Sequence, residues 1–320
     1  MAESYFPYPT IDDLMRCVIA EIQAHGEMTH PSAGDALELT GVLIEVANPR
    51  ARLSRTETRG KLFSCLGELC WYLAKSKDLS FITYYIPKYA DDADGDEISG
   101  GYGPRLFNWR GLNQVEKVTD VLRSKPDSRQ AVIQLFDAGD LHRGHKSIPC
   151  TGTLQFLLRG GALHMFASMR SNDVFLGLPH DVFCFTMLQE IIASELCVEL
   201  GTYKQAVGSL HLYTRRMNDA KQFLNEGWQP TEPHMPMMPR GNPWPAITLL
   251  LEAESQIRNT GELRDGILTD LDPYWADLIR LLLVFKCKKD KDANQIKELC
   301  GKMVSKFYFP FIEKVLSDLT

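Results

Sequence analysis

The sequence predicts a mixed α/β protein in which helices surround one large sheet. Residues 10–26 and 112–124 carry apolar side chains at helical spacing. Short runs of β character then follow at 131–136, 151–158 and 162–169. At 320 residues, 44% of them hydrophobic, the chain can bury a core of the size that such a fold needs.

The remaining elements follow from the same patterns. Gly160 and Gly161 are turn residues, so we expect the two strands beside them to form a hairpin. Residues 174–200 are nearly all apolar and too many for one strand, which favours a buried helix. The other predicted elements are a strand at 38–47, a helix at 56–75, a loop at 91–103, a strand at 202–213 with a helix to about Asn225, an extended Pro-rich segment at 229–246, a strand at 247–253, and helices after Asp272 with a basic hinge at 286–291.

Composition narrows the class of protein. A net charge of −6 argues against a sequence-independent grip on nucleic acid. No apolar run is long enough to span a bilayer, and residues 1–4 are not the basic start of a signal peptide. The eight cysteines are scattered and mostly lie in apolar stretches, which is typical of reduced thiols. We therefore expect a single cytoplasmic domain over residues 1–320, with neither membrane nor nucleic acid as a partner.

Cys150 is the candidate nucleophile. It follows Pro149 at the entrance to a predicted strand, where a side chain can face a cavity. The nearby cations His142, Arg143, His145 and Lys146 predict a lowered thiol pKa and a larger thiolate fraction. The alternative is a buried core cysteine, which is the commoner role of this residue.

The sequence does not predict a metal site. His142 and His145 form the only local ligand pair, and no second pair lies at ligand distance. The acidic segment 94–97 lacks the further ligands of a calcium loop.

Several polar residues suit a phosphate or a sugar hydroxyl. Arg170-Ser171 offers a guanidinium fork and a hydroxyl to a phosphate, and Arg129 is a second basic point, although both arginines also suit surface salt bridges. His211 and Tyr213 lie on one face of a predicted strand, where they suit a sugar hydroxyl or a satisfied core histidine.

The positions of two acids leave their roles open. Glu68 lies on the predicted helix 56–75, either at the rim of a cavity or on the solvated face. Asp181 follows a Gly-Pro turn, eleven residues beyond Arg170.

Together these residues resemble the thymidylate synthase family. The most specific run is Arg-Ser-Asn-Asp-Val-Phe-Leu-Gly-Leu-Pro at 170–179. Pro149-Cys150, Glu68-Leu69-x-Trp71, Tyr102-Gly103 and His211-x-Tyr213 match in the same order. The resemblance spans roughly residues 40 to 250, so about 273–320 is expected to be a divergent helical extension.

The resemblance implies a thymidylate synthase-like fold, a homodimer packed through its sheets, and a covalent mechanism. Cys150 would add to C6 of a pyrimidine nucleotide so that C5 can accept a one-carbon unit from 5,10-methylenetetrahydrofolate. Asp173 and Gly177 would face the pterin, while Glu68 and Tyr102 would manage proton transfers. The nucleotide's phosphate and sugar would be held by Arg170, Ser171, His211, Tyr213 and, from the second subunit, Arg129.

Departures from the family pattern indicate altered chemistry. Asp181 stands where synthases carry the Asn that recognises uracil, and an acid facing uracil O4 would oppose two acceptors at a cost of about 1–3 kcal/mol. Pro87 and Tyr89 align loosely with two tryptophans near the folate, and smaller side chains there would admit water. Thr151 replaces the usual His after the nucleophile.

The sequence therefore predicts a folate-dependent 5-hydroxymethylase of CMP or dCMP, similar to the cytidylate hydroxymethylases of this family. One alternative is a thymidylate synthase that methylates dUMP. A second is an inactive nucleotide-binding member of the family, against which Cys150 argues.

Overall fold

A mixed sheet organises the protein in the computed structural model, which describes residues 3–142 and 144–319. Within these residues the strands are β1 (Tyr5–Tyr8), β2 (Glu27–Thr29), β3 (Ala36–Val46), β4 (Val132–Gln134), β5 (Thr151–Arg159), β6 (Ala162–Asp173) and β7 (Glu199–Tyr213). The strand order is β1-β3-β7-β6-β5-β4, with β2 paired to β3. The β1–β3 and β6–β7 pairs are parallel, while the other pairs are antiparallel.

Helices pack around this sheet. They are α1 (Ile11–His25), α2 (Leu62–Leu73), α3 (Leu79–Tyr85), α4 (Tyr102–Phe107), α5 (Gln114–Ser124), α6 (Gly177–Glu195), α7 (Met217–Asn225), α8 (Trp244–Asn259), α9 (Pro273–Asp290), α10 (Ala293–Gly301) and α11 (Phe309–Ser317). Helix α6 is the central one, since almost all of its side chains from Leu178 to Ser194 are buried. It packs on β6 and β7 on one side and on α2 on the other. The predicted mixed α/β class and the buried helix are confirmed.

The predicted strand at 247–253 is wrong, because these residues belong to α8. The Asn242 side chain accepts a hydrogen bond from the Trp244 N–H at 3.1 Å, and a proline lies in the first turn, which together start a helix. The buried positions Ile247, Leu250 and Ile257 then recur at helical spacing.

Two predicted boundaries also move. The helix predicted at 56–75 begins only at Leu62, because residues 56–60 form a turn in which the Gly60 N–H donates to the Thr56 carbonyl at 2.9 Å. The predicted hinge at 286–291 is reduced to one residue. Helix α9 continues to Asp290, and the helix ends at Lys291, whose φ is 60°. The hairpin at Gly160 and Gly161 is confirmed, and both glycines have positive φ.

Candidate active site

A cavity of about 920 Å3 is lined by residues of β3, β6, β7, α2 and α6. Ten of the eleven predicted site residues line it: Glu68, Tyr102, Cys150, Arg170, Ser171, Asp173, Gly177, Asp181, His211 and Tyr213. Arg129 does not line it and lies exposed in the turn before β4. One chain therefore brings together every predicted residue except the one expected from a second subunit.

Strand register aligns three polar residues along one wall of the cavity. The parallel pair β6–β7 sets Asp173 beside His211, and the antiparallel pair β7–β3 sets His211 beside Glu38. Directly paired residues project from the same face of a sheet, and all three line the cavity. The ring of Tyr213 meets that of His211 edge-on, with centroids 4.9 Å apart.

Cys150 lies next to Arg170 across the β5–β6 hairpin. The Arg170 N–H donates to the Cys150 carbonyl at 2.8 Å. Its side chain donates from Nε to the Pro149 carbonyl at 3.1 Å and from Nη2 to the Ile148 carbonyl at 3.0 Å. The guanidinium therefore fixes the segment that ends at Cys150, the predicted nucleophile.

The predicted lowering of the Cys150 pKa is wrong. Burial raises the pKa of the thiol above its ordinary value, the charges of Asp181 and Asp92 raise it further, and only Arg170 lowers it. Of the expected cations near Cys150 in the chain, His145 lies 3.5 Å from Asp94, Lys146 lines the cavity, and Arg143 lies outside the described residues. The cation that faces the thiol comes from the neighbouring strand.

Glu68 is buried, which settles the choice between cavity and solvated face. It is 3% exposed on α2, and its Oε1 accepts hydrogen bonds from the hydroxyls of Tyr72, at 3.2 Å, and Tyr89. Its Oε2 has no hydrogen-bond partner among the described residues. That oxygen is buried, so its hydrogen-bonding capacity is left unsatisfied by the described residues.

Tyr102 is held in the cavity by Thr151. The Thr151 N–H and hydroxyl both donate to the Tyr102 oxygen, at 3.2 and 3.0 Å. Burial, with the charges of Asp181 and Cys150, raises the pKa of Tyr102 well above its ordinary value. The phenol therefore keeps its proton and remains a hydrogen-bond donor.

Asp181 lies in the second turn of α6, where its carboxyl group is harder to ionise than usual. Burial raises the pKa of Asp181 well above its ordinary value, and the charge of Glu68 raises it further. The opposing influence is a hydrogen bond from the Asn172 side chain. Gly177 gives this pair its space, because a Cβ there would lie 2.7 Å from Asn172 Oδ1 and 3.7 Å from Asp181 Oδ2.

Four polar residues stand out among the cavity residues that sequence reasoning missed. Asn172 and Glu38 carried no motif, although Asn172 lies inside the recognised 170–179 run. His180 bridges the Leu176 carbonyl and the Ser64 hydroxyl, and burial lowers its pKa, so the imidazole is neutral. Arg59 is 4% exposed, and its Nε and Nη2 have no hydrogen-bond partner among the described residues. The sequence offered no signal for Arg59, because the turn that buries it was predicted as helix.

Comparison with known protein families identifies the family of this chain. The family model described as thymidylate synthase matches residues 35–243. The chain belongs to the thymidylate synthase family. This confirms the resemblance drawn from Cys150 and the 170–179 run.

Two relatives from that family are similar to the chain. A deoxyuridylate hydroxymethyltransferase of Bacillus phage SP01 is 31% identical over 218 residues, which are 63% of this chain and 55% of the relative. A thymidylate synthase of Buchnera aphidicola subsp. Baizongia pistaciae (strain Bp) is 29% identical over 164 residues, 49% of this chain and 62% of the relative. The aligned part thus spans little more than half the length of each thymidylate synthase family relative.

Two further findings concern the described part of the chain. No helix there is long and apolar enough to cross a membrane. Nor do the His, Cys, Asp and Glu side chains of residues 3–142 and 144–319 form a group of three or more that could hold a metal ion.

Proposed function

We propose that the chain is a folate-dependent 5-hydroxymethylase of a cytidine monophosphate nucleotide. It transfers a one-carbon unit from 5,10-methylenetetrahydrofolate to C5 through a covalent bond between Cys150 and C6, and water then completes the hydroxymethyl group. Family membership supports one-carbon transfer, and a relative named as a hydroxymethyltransferase supports the hydroxymethyl product. The scattered free cysteines support a cytoplasmic location.

The protonated state of Asp181 carries the preference for cytosine. A neutral carboxyl donates its O–H to N3 of cytosine and accepts from the N4 amino group. Because N3 is basic, the proton can be shared between acid and base, which gives a charge-assisted pair. Uracil has no equivalent basic nitrogen, and any loss of the Asp181 proton leaves a carboxylate facing O4.

The other residues have separate tasks in this proposal. Arg170 and Ser171 bind the phosphate, and His211 and Tyr213 bind the sugar. Tyr102 donates a hydrogen bond at the base. Glu68, whose buried Oε2 lacks a partner among the described residues, orders the water that completes the product once the side chain turns toward the ligand.

The cavity fits a folate beside the nucleotide. Trp71, Pro87, Tyr89 and Leu176 give it flat apolar walls of the kind that hold a pterin, and its volume is within the range of ligand sites. Asp173 and Gly177 face this side, and the folate brings the one-carbon unit to C5 when bound. Pro87 and Tyr89 replace bulkier side chains in this proposal, which leaves room for water.

A homodimer completes the site in this proposal. Arg129 is exposed and reaches the phosphate site of the partner subunit across the sheets. The face of the sheet away from the helices carries Leu43, Leu157 and Phe166, which are only half-buried in one chain. Half-buried apolar side chains on an open sheet face support packing against a second copy.

The substitution Asp181→Asn tests the base preference. An amide cannot pass a proton to N3, so the ratio of kcat/KM for cytosine over uracil nucleotides should fall by about tenfold or more. The protein is incubated with methylenetetrahydrofolate and CMP, dCMP, UMP or dUMP, and the mass of each product is measured by mass spectrometry. Cys150→Ser is the inactive control.

One competing function has specific support. A neutral Asp181 can also donate to O4 and accept from N3–H of uracil, and a relative is named as a thymidylate synthase. A methyl mass gain on dUMP with formation of dihydrofolate would establish that function and overturn the present proposal.

A further inference from the structure

Glu38 is an acid in the nucleotide cavity that no assigned role uses. It lies on β3 directly opposite His211, at the end of the row that begins with Asp173. The Ser209 hydroxyl donates to its Oε2. The side chain therefore has a fixed place beside the two residues proposed to hold the sugar.

The carboxylate of Glu38 is only partly satisfied. Its Oε1 accepts no hydrogen bond from the described residues. No Lys, Arg or His among them forms an ion pair with the carboxylate, and this includes His211 on the neighbouring strand. Glu45 on the same strand is different, since Lys204 lies 3.1 Å from its carboxylate. Glu38 thus presents a free acceptor and an unneutralised charge to the cavity.

The chemistry of this group limits what it can face. An unpaired carboxylate repels a phosphate, so it does not belong to the anion site at Arg170. A carboxylate has only acceptor sites and pairs well with sugar hydroxyls, as acids do with the ribose of dinucleotides. A ribose offers two neighbouring hydroxyl donors, whereas a deoxyribose offers one.

We propose that Glu38 binds the 2′-hydroxyl of the nucleotide and makes the substrate a ribonucleotide, with Ser209 as its positioning residue. The location of the sugar rests on the proposed function, which assigns it to His211 and Tyr213. Discrimination arises because only a ribose offers Glu38 a 2′-hydroxyl donor, so only ribonucleotides gain this hydrogen bond.

Calorimetric titration with CMP, dCMP, UMP and dUMP tests this without requiring turnover. The unsubstituted protein is expected to bind each ribonucleotide at least about tenfold more tightly than its deoxy counterpart, whichever base it carries. Glu38→Ala is expected to abolish this difference by weakening the ribonucleotides alone. Glu38→Gln, which keeps a carbonyl acceptor, is expected to restore part of it.

Glu27→Ala is the matched control. It removes the same charge from β2 at the residue that pairs with Glu38, but Glu27 is exposed and does not line the cavity. The ribose preference should survive it.

Two results would overturn the inference: equal binding of ribo- and deoxyribonucleotides by the unsubstituted protein, or an equal loss for both sugars in Glu38→Ala. The unsubstituted comparison needs no variant to fold. A ribose preference without any preference for cytosine supports the role of Glu38 and rejects only the cytosine assignment of Asp181.

Discussion

Burial and the Arg170 cation have opposite effects on the pKa of the Cys150 thiol. Burial and the charge of Asp92 disfavour the thiolate, Arg170 favours it, and any ionised Asp181 would disfavour it further. The free protein therefore holds a mostly protonated nucleophile at neutral pH, and the thiolate fraction grows as the pH rises towards the raised pKa.

Alkylation of Cys150 by iodoacetamide should report this balance. The rate at Cys150, followed by mass mapping of its peptide, is expected to keep increasing up to and beyond pH 9, the ordinary thiol value. Arg170→Gln should move the profile to still higher pH by removing the cation. A rate that levels off below pH 8 would show that the thiol is activated instead.

At the residue scale, the sequence identified a site residue correctly where a motif contained both that residue and its expected neighbours in the site. Cys150, Arg170 and His211 were identified in this way and do share a cavity. The pKa of Cys150 was not predictable, because its cation lies twenty residues away and arrives through a hairpin. Glu38 was missed for the same reason, since only the β3–β7 register brings it to His211.

At the scale of elements, the contact between α2 and α3 depends on a missing side chain. A Cβ at Gly67 would lie 2.1 Å from the ring of Tyr85. The Tyr85 hydroxyl donates to the buried Glu254 of α8 at 2.8 Å, so the ring has little freedom to move. Gly67 thus joins three helices behind the cavity wall.

Gly67→Ala is expected to lower the free energy of unfolding by about 1–3 kcal/mol, because Tyr85 must shift and strain its bond to Glu254. Urea unfolding measures the change. Gly301→Ala is the control, since no atom lies within 4 Å of a Cβ there and alanine favours a helix. Equal effects of the two substitutions would reject the steric explanation.

Elements with clear hydrophobic periodicity were predictable from the sequence. Helix α8 was not, since part of it was predicted as a strand. Its start follows a hydrogen bond from the Trp244 N–H to the Asn242 side chain, and its buried stripe includes the acid Glu254, which a hydropathy pattern does not recognise as core. The short strands β1 and β2 were missed because each owes its existence to pairing with β3.

At the scale of the whole molecule, the proposed dimer makes each site dependent on two chains. Mixing inactive Arg129→Ala with inactive Cys150→Ser chains should restore activity, because a mixed dimer has one site with both native residues. Random exchange makes half of the dimers mixed, each with one intact site of two, so about a quarter of native activity is expected.

Activity assays after subunit exchange check this, with each variant alone as its control. No recovery, with mixed dimers demonstrated by native mass spectrometry, would contradict the role of Arg129 across the interface.

The order of the strands lay beyond sequence reasoning, because β3 and β7 are far apart in the chain and pairing at that distance leaves no local pattern. We propose that the helices after 273 form an extension of the same domain. Tyr308 and Ile312 support this, since both are fully buried in the core that contains the sheet residues.

Arg170 has a consequence for rate as well as affinity. Its five N–H groups give two hydrogen bonds to the carbonyls of Ile148 and Pro149, which leaves three for a phosphate. In the proposed function, one rigid planar group therefore joins the bound phosphate to the segment that carries Cys150. Cytidine, which lacks the phosphate, should therefore lose kcat along with affinity, because the energy of holding the phosphate also aligns Cys150 with C6.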